Sequence, residues 1–170
     1  MHLEYLTTQM ARNTERVRLL VLGISDEQAR WKPDANSWSI LEVVNHLCDE
    51  EREDFRVRLD HILHHPGKAW PPIDPQGWVT ARRYNERDLD ESVKNFVLAR
   101  QESLDWLQSL GTPDWGRAAE TPWGGTIRAG DMFAAWVTHD TLHLRQLVEL
   151  HHAYVVYLTQ PYAPNYAGEW

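Results

Sequence analysis

A single cysteine, Cys48, stands in the 170 residues, so no disulfide can close within the chain and no cysteine-built zinc site is open to it. No apolar run approaches the roughly 20 residues that a membrane-spanning helix needs. The N-terminus also lacks the basic-then-apolar pattern of a secretory signal, so a cytoplasmic location is expected. Basic residues are sparse: 17 Lys and Arg stand against 25 Asp and Glu, for a formal charge of −8. They are scattered among acids, whereas phosphate backbones are bound by clustered Lys and Arg. Nucleic acid and membrane are therefore not expected partners, and a small-molecule ligand is the class that remains. Alternating strand patterns, internal repeats and low-complexity tracts are missing too.

What is present is helical periodicity, nine tryptophans and nine histidines. With 42% hydrophobic and 25% charged residues, the chain has the composition of one globular domain. A domain near this length buries roughly 70% of the surface its unfolded chain exposes. Leu3, Leu6, Met10, Val17, Leu20 and Val21 recur at helical spacing and end near Gly23. A loop with Pro33 and Asn36 follows, and Ser39-Ile40-Leu41-Glu42 then matches a capping box opening a helix to about His65, before Pro66-Gly67. The Pro-rich stretch from Gly67 to about Arg87 reads as an irregular crossover, long enough to join helices that are not neighbours. Asp88 or Asp90 can cap a third helix whose stripe is Leu89, Val93, Phe96, Val97, Leu104 and Leu107. Turn chemistry at Glu120–Thr126 suggests a short hairpin, and a fourth helix spans Ala129–His152. The tail through Pro161 and Pro164 is non-helical, and its aromatics are expected to pack back on the domain. These elements specify an all-α protein, a four-helix bundle with a long crossover loop. Most tryptophans are assigned to the core or to helix contacts.

The chemistry-bearing feature is His139-Asp140-Thr141-Leu142-His143. Imidazoles at i and i+4 of a helix share one face and can share one ion. Both lie among Met132, Ala135, Trp136, Leu142, Leu147 and Leu150 on the wheel, so they face inward and need partners for their ring nitrogens. A metal is one such partner and an ordinary hydrogen bond another. The zincin pattern does not apply, since Asp140 stands where that pattern has Glu, and Gln146 and Glu149 replace the Gly and His of its extended form. Asp140, about 100° round the helix from His139, is too far to share its ion directly; it is open to an outer-sphere role or a dimer contact, with a solvated acid as the main reading. Cys48 reads as a packing residue, and His61, His64 and His65 as dipole partners of a helix C-terminus. Glu50, one turn beyond His46, is open to a role as ligand, water-orienting group or base, and equally to a place on a solvated face. On its own helix His46 also reads as solvated, because the stripe Val44, Leu47, Phe55, Ile62 centres away from it.

Trp38-Ser39-Ile40 followed by His46-Leu47 and acids, the Trp31-Lys32-Pro33 loop, the Thr121-Pro122-Trp123-Gly124 turn and the His139-Asp140-x-x-His143-Leu144-Arg145-Gln146 run together resemble the DinB-like family. The resemblance covers nearly the whole chain. It implies an up-up-down-down bundle, a divalent ion held by three histidines, which by position are His46, His139 and His143, and a homodimer. Some relatives are thiol transferases using bacillithiol or mycothiol, and others isomerise or hydrolyse small molecules. The expectation is thus a metal-dependent enzyme with zinc, nickel or iron, activating water or a low-molecular-weight thiol. The alternative is a non-catalytic stress-response bundle whose ion is structural. A fourth protein donor such as Glu50 favours the alternative; an open position facing a cleft lined by Trp38 or Trp136 favours the enzyme.

Overall fold

The computed structural model describes residues 2–170. Helix α1 spans Leu3–Val21 and ends before Gly23, whose φ of 77° suits glycine. The loop beyond it holds a short helix that periodicity could not reveal, α2 (Asp26–Arg30), where the Ser25 hydroxyl accepts from the Gln28 backbone N–H at 3.1 Å. The Ser39–Glu42 capping box is formed at both ends: the Ser39 hydroxyl accepts from Glu42 N at 3.1 Å, and Glu42 Oε2 accepts from Ser39 N at 2.8 Å. It opens α3 (Ile40–Asp49), which continues through one π-helical turn (Glu50–Asp54) into α4 (Phe55–His64). The long second helix is therefore present, with a change of winding at its middle.

The crossover carries more structure than expected. Asp74 caps α5 (Pro75–Ala81), which has proline in its first turn, and a 3₁₀ turn follows at Tyr84–Glu86. Nor does it join distant helices, because α3 packs closely on α6 (Leu89–Ser109). Its length returns the chain along the second helix so that α6 runs parallel to α3, Asn45 meeting Ser92 and Glu51 meeting Arg100, and on the way α5 and the 3₁₀ turn cover α3. Asp88, and not Asp90, caps α6, its Oδ1 accepting from Glu91 N at 2.8 Å. The hairpin pairs β1 (Ala118–Glu120) antiparallel with β2 (Thr126–Arg128), Ala119 opposite Ile127. Helix α7 starts at Ala129 and runs beyond His152 to Leu158. Nothing stops it before Pro161, and Tyr154 is buried, edge-on to Trp31 at 5.3 Å between ring centroids. Of the tail aromatics, Trp170 stacks on His152 at 4.1 Å while Tyr162 and Tyr166 are exposed.

The four long helical segments pack in a ring: α1 on α6, α6 on α3, α4 on α7, and α7 on α1. Two apolar clusters fill it. One gathers Met10, Phe55, Leu59, Ile62, Leu107, Phe133 and Trp136; the other gathers Val17, Val21, Val44, Leu47, Phe96 and Leu147. Between them lies a buried ionic knot. Arg100 Nη2 donates to Glu51 Oε1 and Asp140 Oδ1, both at 2.7 Å, and its Nη1 donates to Asp140 Oδ2 at 2.8 Å and to the Met10 carbonyl at 3.1 Å. Trp136 Nε1 donates to Glu51 Oε1 at 2.7 Å and Asn13 Nδ2 to Asp140 Oδ2 at 3.2 Å. Burial opposes the charge of Arg100, but the two carboxylates outweigh it and hold the guanidinium protonated. Asp140 is thus no solvated acid. The α7 stripe is correspondingly rotated: Ala135 and Leu142, expected inside, are exposed.

Candidate metal centre

Helix α3 supplies His46, and α7 supplies His139 and His143. The rings converge: centroids are 4.4 Å apart for His139 and His143, 4.8 Å for His46 and His143, and 5.4 Å for His46 and His139. One ring nitrogen of each lies within 4.8 Å of those of the other two. This is the one such histidine, cysteine or carboxylate group among the described residues. His46 is buried, against the expectation of a solvated ring, because its side of α3 faces Trp38 and the two α7 imidazoles, with ring centroids 4.8 to 5.4 Å away. The polar stripe of α3 meets other elements and not solvent: His46 meets α7, Asn45 meets Ser92 of α6, and Asp49 meets Arg82 and Tyr84.

His143 is oriented from behind, its Nδ1 lying 2.8 Å from Gln146 Oε1, which makes Nδ1 the protonated nitrogen and leaves Nε2 as a lone pair. That Nε2 lies 3.1 Å from Nε2 of His139. At this distance His139 Nε2 either donates a hydrogen bond to the His143 lone pair or shares a cation with it. Burial, together with the neighbouring imidazoles, pushes His46 down to about 2, and burial with His143 pushes His139 down to about 3. Burial also lowers His143. The rings are therefore neutral, as metal ligation requires. Neutral donors, converging nitrogens and an outer hydrogen bond on His143 together fit a divalent ion on nitrogen ligands.

The site opens into a cavity of about 910 Å³ lined by Trp38, Glu50, Asp54, Phe55, Gln76 and Arg145 among others. Trp38 is parallel to His143, with ring centroids 6.3 Å apart. Trp136 is absent from the cavity wall and belongs to the core. Glu50 is buried at the wall, its carboxyl pushed up to about 9 by burial and by the neighbouring Asp54. It does not join the three histidines as a donor. Of the other candidates, Cys48 is buried with its thiol pushed up to about 11 by burial, as a packing residue should be. His61 packs on Trp70 while His64 pairs with Asp60 at 2.8 Å, and no ligand set forms there. The orienting role of Gln146 is not evident from the motif that contains it; its spacing of three from His143 on one helix face is the available signal.

No curated protein matches the chain. Among solved structures, YfiT from Bacillus subtilis, described as "a probable metal-dependent hydrolase with an unusual four-helix bundle topology", is similar with a TM-score of 0.77. The identity is 18%, and the match covers 88% of this chain and 86% of that one, so the likeness is one of fold. The sequence profile of the DinB superfamily matches residues 9–147, from the first helix through the His139–His143 run to the core of α7. The chain belongs to the DinB superfamily.

Proposed function

We propose that the protein is a metal-dependent enzyme acting on a small molecule, with His46, His139 and His143 holding a divalent ion at the floor of the Trp38 cavity. The observation that carries this is the convergence of three neutral imidazoles, His46 buried and His139 and His143 half-buried, with ring nitrogens within 4.8 Å of one another on a cavity wall. Zinc, nickel and iron all suit nitrogen ligands. Such an ion lowers the pKa of a water or thiol towards neutrality and so supplies a nucleophile. The chain's own residues do the rest: Gln146 fixes the tautomer of His143, Phe55 shields His139 at 5.0 Å between rings, and Trp38 offers a flat apolar wall to the ligand. A hydrolase and a thiol S-transferase are the two versions of this reading. YfiT's description supports the first; the resemblance to bacillithiol- and mycothiol-using relatives supports the second.

A structural ion in a non-catalytic bundle is less well supported, because structural sites usually take four protein donors and three gather here. Metal analysis of protein purified without a histidine tag tests the reading. Wild type should carry near-stoichiometric metal and the His139→Ala, His143→Ala double variant almost none; equal, negligible loading in both would end it. Activated esters with and without low-molecular-weight thiols plus an electrophile then separate the two versions.

A further inference from the structure

His143 has Gln146 behind it, but His46 has no such hydrogen bond. Its Nδ1 is buried without a partner, and so is Glu50 Oε1, 3.7 Å away. A potential donor and an acceptor thus face each other just beyond hydrogen-bond distance, and each left alone costs about 1–3 kcal/mol. The placement of Glu50 is built into the helix. His46, Glu50 and Asp54 all line the cavity at successive intervals of four residues. In an unbroken α-helix each such interval drifts by about 40° round the axis. The π-helical turn at Glu50–Asp54 winds more slowly and counters that drift, and π-turns recur at functional sites. Behind Glu50, Asp54 is ion-paired with Arg58, whose guanidinium lies 5.3 Å from the Trp70 ring centroid and 5.2 Å from that of Trp123. The carboxyl of Glu50 is therefore backed by a salt-bridged, aromatic-clamped pair.

We propose that Glu50 is the outer-sphere partner of His46, accepting a hydrogen bond from Nδ1–H so that Nε2 is the nitrogen presented to His139 and His143. The inference rests on the three-histidine metal reading. It makes Glu50 a positioning residue and not a ligand, in keeping with its place outside the converging group. Outer partners of ligating imidazoles set ring orientation, and their loss weakens metal affinity by about 10–100-fold.

Two measurements test it. Imidazole ¹⁵N spectra of metal-free wild type should show His46 as the Nδ1–H tautomer; the Nε2–H tautomer would overturn the proposal, and this needs no variant. Zinc affinity measured by competition with a chromophoric chelator should fall about 10–100-fold in Glu50→Leu and recover most of that loss in Glu50→Gln, whose amide oxygen still accepts. Affinity unchanged in Glu50→Leu would refute the role of Glu50 while leaving wild-type binding intact. Wild type that takes up no zinc, nickel or ferrous iron would instead refute the metal reading itself.

Discussion

Replacing Arg100 by methionine deletes the one cation that neutralises Glu51 and Asp140 in the interior. Arg100 is 1% exposed, and its three carboxylate contacts are 2.7, 2.7 and 2.8 Å long. Removing one member of a buried ion pair leaves an uncompensated charge and costs about 3–5 kcal/mol. For a domain of this size each kcal/mol lowers Tm by about 2–4 °C, so a fall of about 6–20 °C is expected. Urea denaturation followed by circular dichroism, extrapolated linearly, gives the free energy directly. The charge argument also predicts a rescue. Arg100→Met combined with Glu51→Gln and Asp140→Asn keeps acceptors for Trp136 Nε1 and Asn13 Nδ2 but removes both orphaned charges. The triple variant should recover to within about 2 kcal/mol of wild type. Arg100→Met within about 1 kcal/mol of wild type would refute the reasoning. A triple variant no more stable than the single one would show that lost packing, not charge, is responsible.

In metal-free protein, stability should peak slightly below neutrality. The depressed imidazoles of His46, His139 and His143 stay neutral in the folded state, while the unfolded chain takes up protons below about 6.5, so stability falls on acidification through that pH. Glu50, raised to about 9, holds a proton that the unfolded chain has released, so stability falls by about 1.4 kcal/mol per pH unit between neutrality and pH 9. Urea midpoints across that range check both limbs; Glu50→Gln should flatten the alkaline one, and a flat wild-type profile would contradict the argument. Native Cys48 should resist a thiol reagent such as Ellman's until the protein unfolds, and prompt stoichiometric labelling would contradict its burial. Ser39→Ala should cost about 1–2 kcal/mol in the same denaturation assay, because it removes the cap of α3 and also the hydroxyl that donates to Asn85 Oδ1 at 2.6 Å.

The long helices were legible because periodicity and caps act locally: Ser39 with Glu42 and Asp88 with Glu91 are contacts within a single turn. The inward pair His139 and His143 was legible for the same reason. What escaped depends on tertiary contacts. Helix α2 and helix α5 are too short to show a period, and the Tyr154–Trp31 contact that steadies the end of α7 spans most of the chain. Asp140 and Arg100 look like surface charges until they are seen to face each other across α6 and α7. His46 fell between the two cases: its helix pattern pointed outward, and only Trp38 and the α7 imidazoles packed against its ring make that side an interior.

The π-turn at Glu50–Asp54 makes α3 and α4 a single rod with two settings. One residue is worth about 100° of rotation in an α-helix, and the slower-wound turn holds about one residue more than α winding would, so an added residue in this turn acts as a phase change. Restoring uniform winding at unchanged length would turn Phe55, Leu59 and Ile62 out of one apolar cluster while leaving Val44 and Leu47 seated in the other. Deleting one residue here would let the turn return to α winding with both halves still seated, whereas an added residue sets the phase of one half against the other.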